Sequence, residues 1–480
     1  MNLAARKPGA ATGRRARLLL AITALLLAAA NAAADPALAL RVQGNRLVDA
    51  KGQAVRLRGA SYSGFEFAAI QGWSPSDPSG AQAGHPGGPD WAAMRTWRAN
   101  AVRLPLNEAS WLGYRCTDAT GVARNPDPGG NYRAAVKAQV AQANAAGLYV
   151  ILDLHWAAPA ASCPMLQTQM ADADHAIAFW QSVAGEFKNA PAVAFELYNE
   201  PYLDGLSMLD SPWHALTRGG TLRYYPAAGA NGAQRRVESS WRSTGMQAMV
   251  EAVRGAGAAN VVLVGGLAYC NDLSGWLENM PADPLGQLAA AWHPYPPVQF
   301  VRSAAVAAAG QGYAVGDTIT LPRPDTVYSP AVFGVTATGS GGAVRGVGIV
   351  DGGAYLQTRL PDGAVPQARS SGSGRGAAFS LGFANKSSTW SMPANWPAVA
   401  RISARVPLVI TETGEHNERG TAGSPFLQEL LPYADAHGWS VIGWGWNVWG
   451  AADNVLISDG AGTPTDGYGR VFHDWISGAP

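Results

Sequence analysis

The stretch Ala192-Val-Ala-Phe195-Glu196-Leu-Tyr198-Asn199-Glu200-Pro201 carries the reading of the fold. A short apolar run breaks into polar groups and stops at a proline. Upstream, the segment Asp172–Phe187 has helical spacing. Working outward, the same kind of run recurs at Val55–Ala60, Asn100–Leu104, Leu148–Leu154, Val261–Gly265, Ala289–His293, Leu408–Thr411 and Trp439–Trp446. Helical stretches fall between them at Asp90–Ala99, Tyr132–Ala146 and Val237–Gly255, the last with Trp241, Met246, Met249 and Val250 on helical spacing. Most of these stretches end near Asn or Gly, which suits a helix stop. Strands that are apolar throughout and alternate with helices imply a parallel sheet covered by helices. With Ala192–Leu197 there are eight such strands, and eight imply an α/β fold of the closed (β/α)₈ type, a TIM barrel. A doubly wound sheet is the alternative. No Gly-x-Gly-x-x-Gly follows the first strand, so a dinucleotide site has no support.

One region breaks the rhythm. Between Pro297 and Trp390 the chain turns Gly-rich, with a degenerate repeat. Gly312-Tyr313 leads to Pro330 and Val332-Phe333-Gly-Val-Thr-Ala-Thr, and Gly353-Ala354-Tyr355 leads to Pro366 and Phe379. The alternation predicts half-buried strands joined by Gly turns. The segment reads as a small all-β insert over 300–388, between strand six and helix six. The alternative, an unstructured tether, is opposed by its low charge. The chain then divides into 1–34, barrel 35–299, insert 300–388 and barrel 389–480.

The first 34 residues read as a secretory signal peptide. Arg6, Lys7, Arg14, Arg15 and Arg17 precede an apolar run from Leu18 to Ala30, and small residues follow. The run is short for a membrane span, which needs about 20 residues. Removing the leader takes five of the 35 basic residues and none of the 34 acidic ones, leaving a formal net charge of −4. The expectation is a secreted or periplasmic protein with no membrane span once the signal is removed, and a monomer. Apolar residues are 48% and charged residues 14%, which opposes a disordered chain. No basic block lies outside the leader, which opposes a nucleic-acid partner. With only three cysteines, a Cys-cluster zinc site is excluded. Export permits one disulfide. Cys116 and Cys163 are the expected pair, each in a loop just past a strand.

Barrel active sites sit where the strands end. Strand two carries Arg103, strand three Asp153 and His155-Trp156, and strand four Asn199-Glu200. Strand six ends in His293-Pro294-Tyr295, strand seven in Thr411-Glu412-Thr413-Gly414, and strand eight in Trp444-Gly-Trp446-Asn447. Any one could be a satisfied core polar group. Their arrival together on one face is hard to explain by packing.

On these residues the chain resembles glycoside hydrolase family 5, the cellulase-like family of retaining (β/α)₈ glycosidases. Asn199-Glu200-Pro201 resembles that family's signature. Arg103, His155, His293, Tyr295 and Glu412 stand in order where the family places its active site. The resemblance implies Glu200 as acid/base, Asn199 as its neighbour on the sugar 2-hydroxyl, and Glu412 as nucleophile. It implies His293 and Tyr295 beside that pair, and Arg103 and His155 as buttresses lining the −1 subsite. It implies Trp446 as the platform under the −1 sugar, with Trp444 as rival.

The chemistry agrees with these roles. A glycosidic bond needs a proton on its leaving oxygen and an ionised carboxylate at its anomeric carbon. Neither a metal nor an organic cofactor is required. Asp153 and His155 could imitate a metal pair, but no third ligand is close in sequence. Glu108 lacks the following proline, Glu196 lies inside a strand, and Glu415 and Glu418 follow the turn at Gly414, so none competes for a catalytic role.

Glu66 could reach substrate hydroxyls. Trp73, Trp111, Trp156, Trp213, Trp276 and Trp449 fall in expected rim loops, where flat rings could stack on sugars. Few basic residues join them, so the expected partner is a neutral polysaccharide or oligosaccharide. The leading expectation is endo-acting hydrolysis of β-1,4-glucan or a related neutral β-glycan. The alternatives are a β-mannanase or exo-acting glycosidase, and a non-catalytic carbohydrate-binding protein on a glycosidase scaffold.

Overall fold

The structure is a computed structural model that describes residues 38–80, 88–203, 211–224, 239–324, 326–385, 391–417, 420–449 and 454–478. The expected signal segment and Glu418 lie outside these residues. Eight parallel strands close into a barrel: β1 (Arg58–Ser61), β2 (Ala101–Asn107), β3 (Tyr149–Trp156), β4 (Val193–Glu196), β5 (Val262–Val264), β6 (Leu288–Trp292), β7 (Leu408–Ile410) and β8 (Ser440–Gly443). Each pairs with the next in the chain, and β8 returns to β1. A helix follows each strand: α1 (Trp91–Thr96), α2 (Tyr132–Ala145), α3 (Ala176–Phe187), α4 (Met246–Gly255), α5 (Trp276–Asn279), α6 (Trp396–Ser403), α7 (Pro425–Ala436) and α8 (Tyr468–Gly478).

The two-residue period of a strand sorts side chains between two apolar compartments. Ala101, Ile151, Ala194, Leu263, Ala291 and Val409 cluster in one, inside the barrel. Val102, Leu152, Phe195, Val264, Ala290 and Ile410 face the helices in the other. In α3, Phe179, Trp180, Val183, Ala184 and Phe187 are buried on one stripe, as a helix packed on a sheet requires. Small residues let strands approach closely. A Cβ at Gly59 would lie 1.7 Å from the Ala101 carbonyl oxygen.

The helix expected over Val237–Gly255 is only half present. Helix α4 begins at Met246, and Ser239–Ser243 pairs antiparallel with Gly220–Tyr224. Trp241 is buried in that hairpin opposite Leu222. Its pairing partner is remote in sequence, so local periodicity misassigns it. A further hairpin, Arg41–Gln43 with Arg46–Val48, precedes β1 and has no counterpart among the expected strands.

Between β6 and α6 the chain leaves the barrel and builds two antiparallel sheets. One has five strands, with Val298–Gln311 and Arg375–Asn385 as its long central pair. The other has four, from Thr318–Thr320 to Arg369–Ser370. Ile319, Phe333, Val335, Tyr355 and Phe379 form the insert's own core. Glycine is required where backbone meets ring: a Cβ on Gly374 would lie 2.0 Å from the Tyr313 ring.

Candidate active site

The polar residues enter in phase with the apolar ones below them. Along β3, Tyr149 and Ile151 line the barrel interior and Asp153 and His155 follow at the same two-residue step. Ala101 and Arg103 on β2, Ala194 and Glu196 on β4, and Val409 and Thr411 at β7 do the same. The barrel interior is thus apolar at its base and charged at the carboxyl end of its strands.

Arg103 is the hub and is fully buried. Its Nε donates to Glu196 at 2.6 Å and its Nη1 to Glu412 at 3.0 Å. Its Nη2 donates to Asn199 at 2.7 Å and reaches Asp153 at 2.9 Å. Burial opposes charge on the guanidinium, but Asp153, Glu196 and Glu412 raise its proton affinity above the ordinary value. Burial would also raise the Glu196 carboxyl. Arg103, with His293 and Thr411, instead holds it down at about 2. Glu196 therefore completes the charge of the barrel interior, and the partners of Arg103 extend beyond the nucleophile candidate named from sequence.

Glu200 and Glu412 meet across the barrel mouth. A ligand atom of each, and one of His293, all lie within 4.8 Å of one another. Glu412 also accepts a hydrogen bond from the Tyr295 hydroxyl at 2.7 Å. His293 Nδ1 lies 3.0 Å from Glu200, and its Nε2 lies 2.9 Å from Thr411 Oγ1, which donates to Glu196 at 2.5 Å. Burial alone would lower the His293 pKa, yet Glu412, Glu196 and Glu200 push it up to about 10. Asn199 is fixed from both ends, by Arg103 and by Gln167 Oε1 at 2.7 Å. Gln167 was missed in the sequence because its loop carries no periodic signal. His155 Nδ1 pairs with Asp153 at 2.7 Å, and the His155 ring stacks parallel to Trp444 at 5.8 Å.

Several assignments change. Trp446 is 1% exposed and packs edge-on against Trp97, so it cannot present a face to a sugar. Trp444, partly exposed over His155, is the ring at the mouth. Trp111 is 1% exposed and packed on Phe179 and Phe187, a core residue rather than a binding surface. Trp276 is equally buried. Glu66 is buried with its carboxyl turned back onto Ser63 Oγ and the Gly64 N–H, which removes it from the rim. Trp73 remains well exposed. Its ring meets Phe67, which also neighbours Trp156 and Trp449, both partly exposed. Cys116 and Cys163 are joined by a disulfide that ties the loops after β2 and β3, and Cys270 is free and buried.

A second group, Glu108, Asp172 and His175, also gathers atoms of metal-ligand type. Tyr114 donates to Glu108 at 2.9 Å and stacks on His175. One oxygen of each carboxyl is buried without a hydrogen-bond partner. Burial together with Asp172 pushes Glu108 well above the carboxylate range.

Among solved structures, the chain is similar to the catalytic domain of the major endoglucanase of Xanthomonas campestris pv. campestris. The two share 16% identity over 92% of this chain and 100% of that one, with a TM-score of 0.51. It is also similar to a β-glucanase of Saccharophagus degradans solved with cellotetraose, at 17% identity over 92% and 93% of the two chains and a TM-score of 0.49. No curated protein matches the sequence. The family model for cellulase, glycosyl hydrolase family 5, matches residues 48–330. The strand-end carboxyls, the closed barrel that presents them and this match lead to one conclusion: the chain belongs to glycosyl hydrolase family 5.

Proposed function

We propose that the protein hydrolyses interior linkages of β-1,4-glucan, or of a related neutral β-glycan, with net retention of configuration. The observation that carries this reading is the approach of Glu200 to Glu412, with ligand atoms within 4.8 Å. Retaining glycosidases hold their carboxyls about 5–5.5 Å apart, too close for the water that inversion needs. Glu412 sits between Arg103 and the Tyr295 hydroxyl and attacks the anomeric carbon as an ionised nucleophile. Glu200 gives its proton to the leaving oxygen, then takes one from the water that releases the sugar. His293 lies within hydrogen-bond reach of Glu200 and steadies it. Asn199, with its amide oriented by Arg103 and Gln167, meets the 2-hydroxyl, where hydrogen bonds strengthen in the transition state. Trp444 provides the face under the −1 sugar.

The rim supports this substrate class. Trp73, Trp156 and Trp449 around Phe67 offer flat apolar surface suited to uncharged pyranose rings. Such surface fits a chain longer than one sugar, which internal cleavage requires. The basic, apolar leader supports export and action outside the cytoplasm. Incubation with a panel of soluble polysaccharides, followed by sizing of the products, tests this. Short oligosaccharides should appear from β-1,4-glucan early, while the polymer shortens, and should be lost in Glu412→Gln. Release of monosaccharide alone, or cleavage confined to mannan, would overturn the substrate assignment.

A further inference from the structure

We infer that Tyr328, a residue of the β insert, is a positioning residue for Glu412, so that the insert forms part of the catalytic unit. The inference rests on the reading of Glu412 as nucleophile. Tyr328 is 4% exposed, yet it stands apart from the insert's apolar core of Phe333, Tyr355 and Phe379. Its hydroxyl points at the barrel and donates to Glu415 Oε1 at 2.7 Å, and its ring lies 5.1 Å from that of His416.

Glu415 is three residues beyond Glu412 and is 2% exposed. It also accepts from the backbone N–H groups of Phe426 at 3.3 Å and Leu427 at 2.9 Å. Those are among the first N–H groups of α7, which have no partner inside the helix. One buried carboxyl thus joins three bodies: the insert, the start of α7 and the segment that carries Glu412. That segment is held at its other points by the barrel. Thr413 Oγ1 donates to the Pro294 carbonyl at 2.6 Å, and the Thr413 carbonyl accepts from the Trp444 N–H at 2.7 Å. The second of these bonds also couples the segment to the ring at the mouth. Tyr328 fixes it from outside the barrel.

A nucleophile must meet the anomeric carbon within a few tenths of an ångström, and a misplacement of about 1 Å can cost about 100-fold in rate. Loss of the Tyr328 hydroxyl leaves a Glu415 oxygen buried with a weaker set of donors and frees the segment behind Glu412 to shift. Another tie between insert and barrel, Arg359 to Glu429, is exposed and lies on α7, away from the nucleophile.

The test reads the attack itself. The probe is the dinitrophenyl glycoside of a cellobiose in which fluorine replaces the hydroxyl next to the anomeric carbon. A carboxylate oxygen of Glu412 forms an ester bond to the anomeric carbon. The carbon–oxygen bond to dinitrophenol breaks, and dinitrophenolate leaves with the electron pair and needs no proton from Glu200. The fluorine slows hydrolysis of the ester, so the labelled residue can be found by peptide mass spectrometry.

Tyr328→Phe keeps the ring on His416 and removes one hydroxyl. It should slow inactivation roughly tenfold or more, with the concentration dependence little changed. Arg359→Ala, the control for general loosening of the insert, should stay near wild type. Glu415→Ala removes the acceptor of the same bond from the barrel side, and should slow labelling as Tyr328→Phe does. It decides the matter if Tyr328→Phe does not melt cooperatively. A Tyr328→Phe protein labelled on Glu412 at the wild-type rate would overturn the positioning role alone. A label on another residue would overturn the reading of Glu412 on which it rests.

Discussion

The ends of β4 and β7 hold their glutamates in different company. Glu412, past β7, is 7% exposed and bonded to the Arg103 guanidinium and the Tyr295 hydroxyl. Glu200, past β4, has a side chain 20% exposed and meets one ring nitrogen of His293. One carboxyl is clamped by a fixed cation and a donor. The other meets one side-chain partner among the described residues and keeps access to solvent. The difference separates the two roles: a nucleophile gains from rigid placement and charge compensation, an acid/base from a path for protons.

The largest effect should come from breaking that asymmetry. Glu412→Gln should lose activity on all glycosides, by about 10³-fold or more. Glu200→Gln should lose about 10²–10⁴-fold on oligosaccharides, whose leaving oxygen needs a proton, and far less in the first step with a dinitrophenyl glycoside. Equal losses of the two variants on both leaving groups, measured by initial rates, would erase the distinction. Next comes Arg103→Met. It leaves Asp153, Glu196 and Glu412 buried without their cation, which should cost about 3–5 kcal/mol in denaturant unfolding and most of the activity.

The two tryptophans past β8 give a smaller and sharper contrast. Trp446→Ala should cost about 3–5 kcal/mol of stability through the cavity beside Trp97. Trp444→Ala should cost much less stability and act on kcat/KM. Melting curves beside kinetics separate them.

That contrast also marks how far the sequence could be read. Within a strand, alternation is binding: Asp153 and His155 must share a face, and Ala101, Ala194 and Val409 announce the sides of Arg103, Glu196 and Thr411. Eight such runs made the barrel legible. Past the strand end, alternation no longer dictates direction, so Trp444 and Trp446 could not be ordered. Trp111 looked like a rim residue because it follows β2. In the structure it sits in the helical turn Glu108–Leu112 and packs on α3, far along the chain. Trp241 failed for the same reason, through its hairpin partner. The link from Tyr328 to Glu415 spans 87 residues and two substructures, and no local pattern signals it.

The smallest effect concerns pH. Burial pushes Glu415 up to about 8, against the hydrogen bonds from Tyr328, Leu427 and Phe426. The folded protein therefore keeps a proton there that the unfolded chain releases in the ordinary carboxylate range. The stability from this group is full below that range and is lost as pH rises through about 8. Melting midpoints should fall as pH rises from the ordinary carboxylate range to about 8 and level off above it, and Glu415→Gln should flatten that fall. A wild-type profile no steeper than that of the variant would remove Glu415 from the account.

The central claim is double displacement by Glu412 and Glu200, and the stereochemistry of the first product tests it most directly. Proton NMR of a cello-oligosaccharide digest, recorded before mutarotation, resolves the two anomers at the new reducing end. The β-anomer should appear first and the α-anomer grow in only as the sugar equilibrates. Initial release of the α-anomer would mean single displacement by water, and would contradict both the mechanism and the role of Glu412.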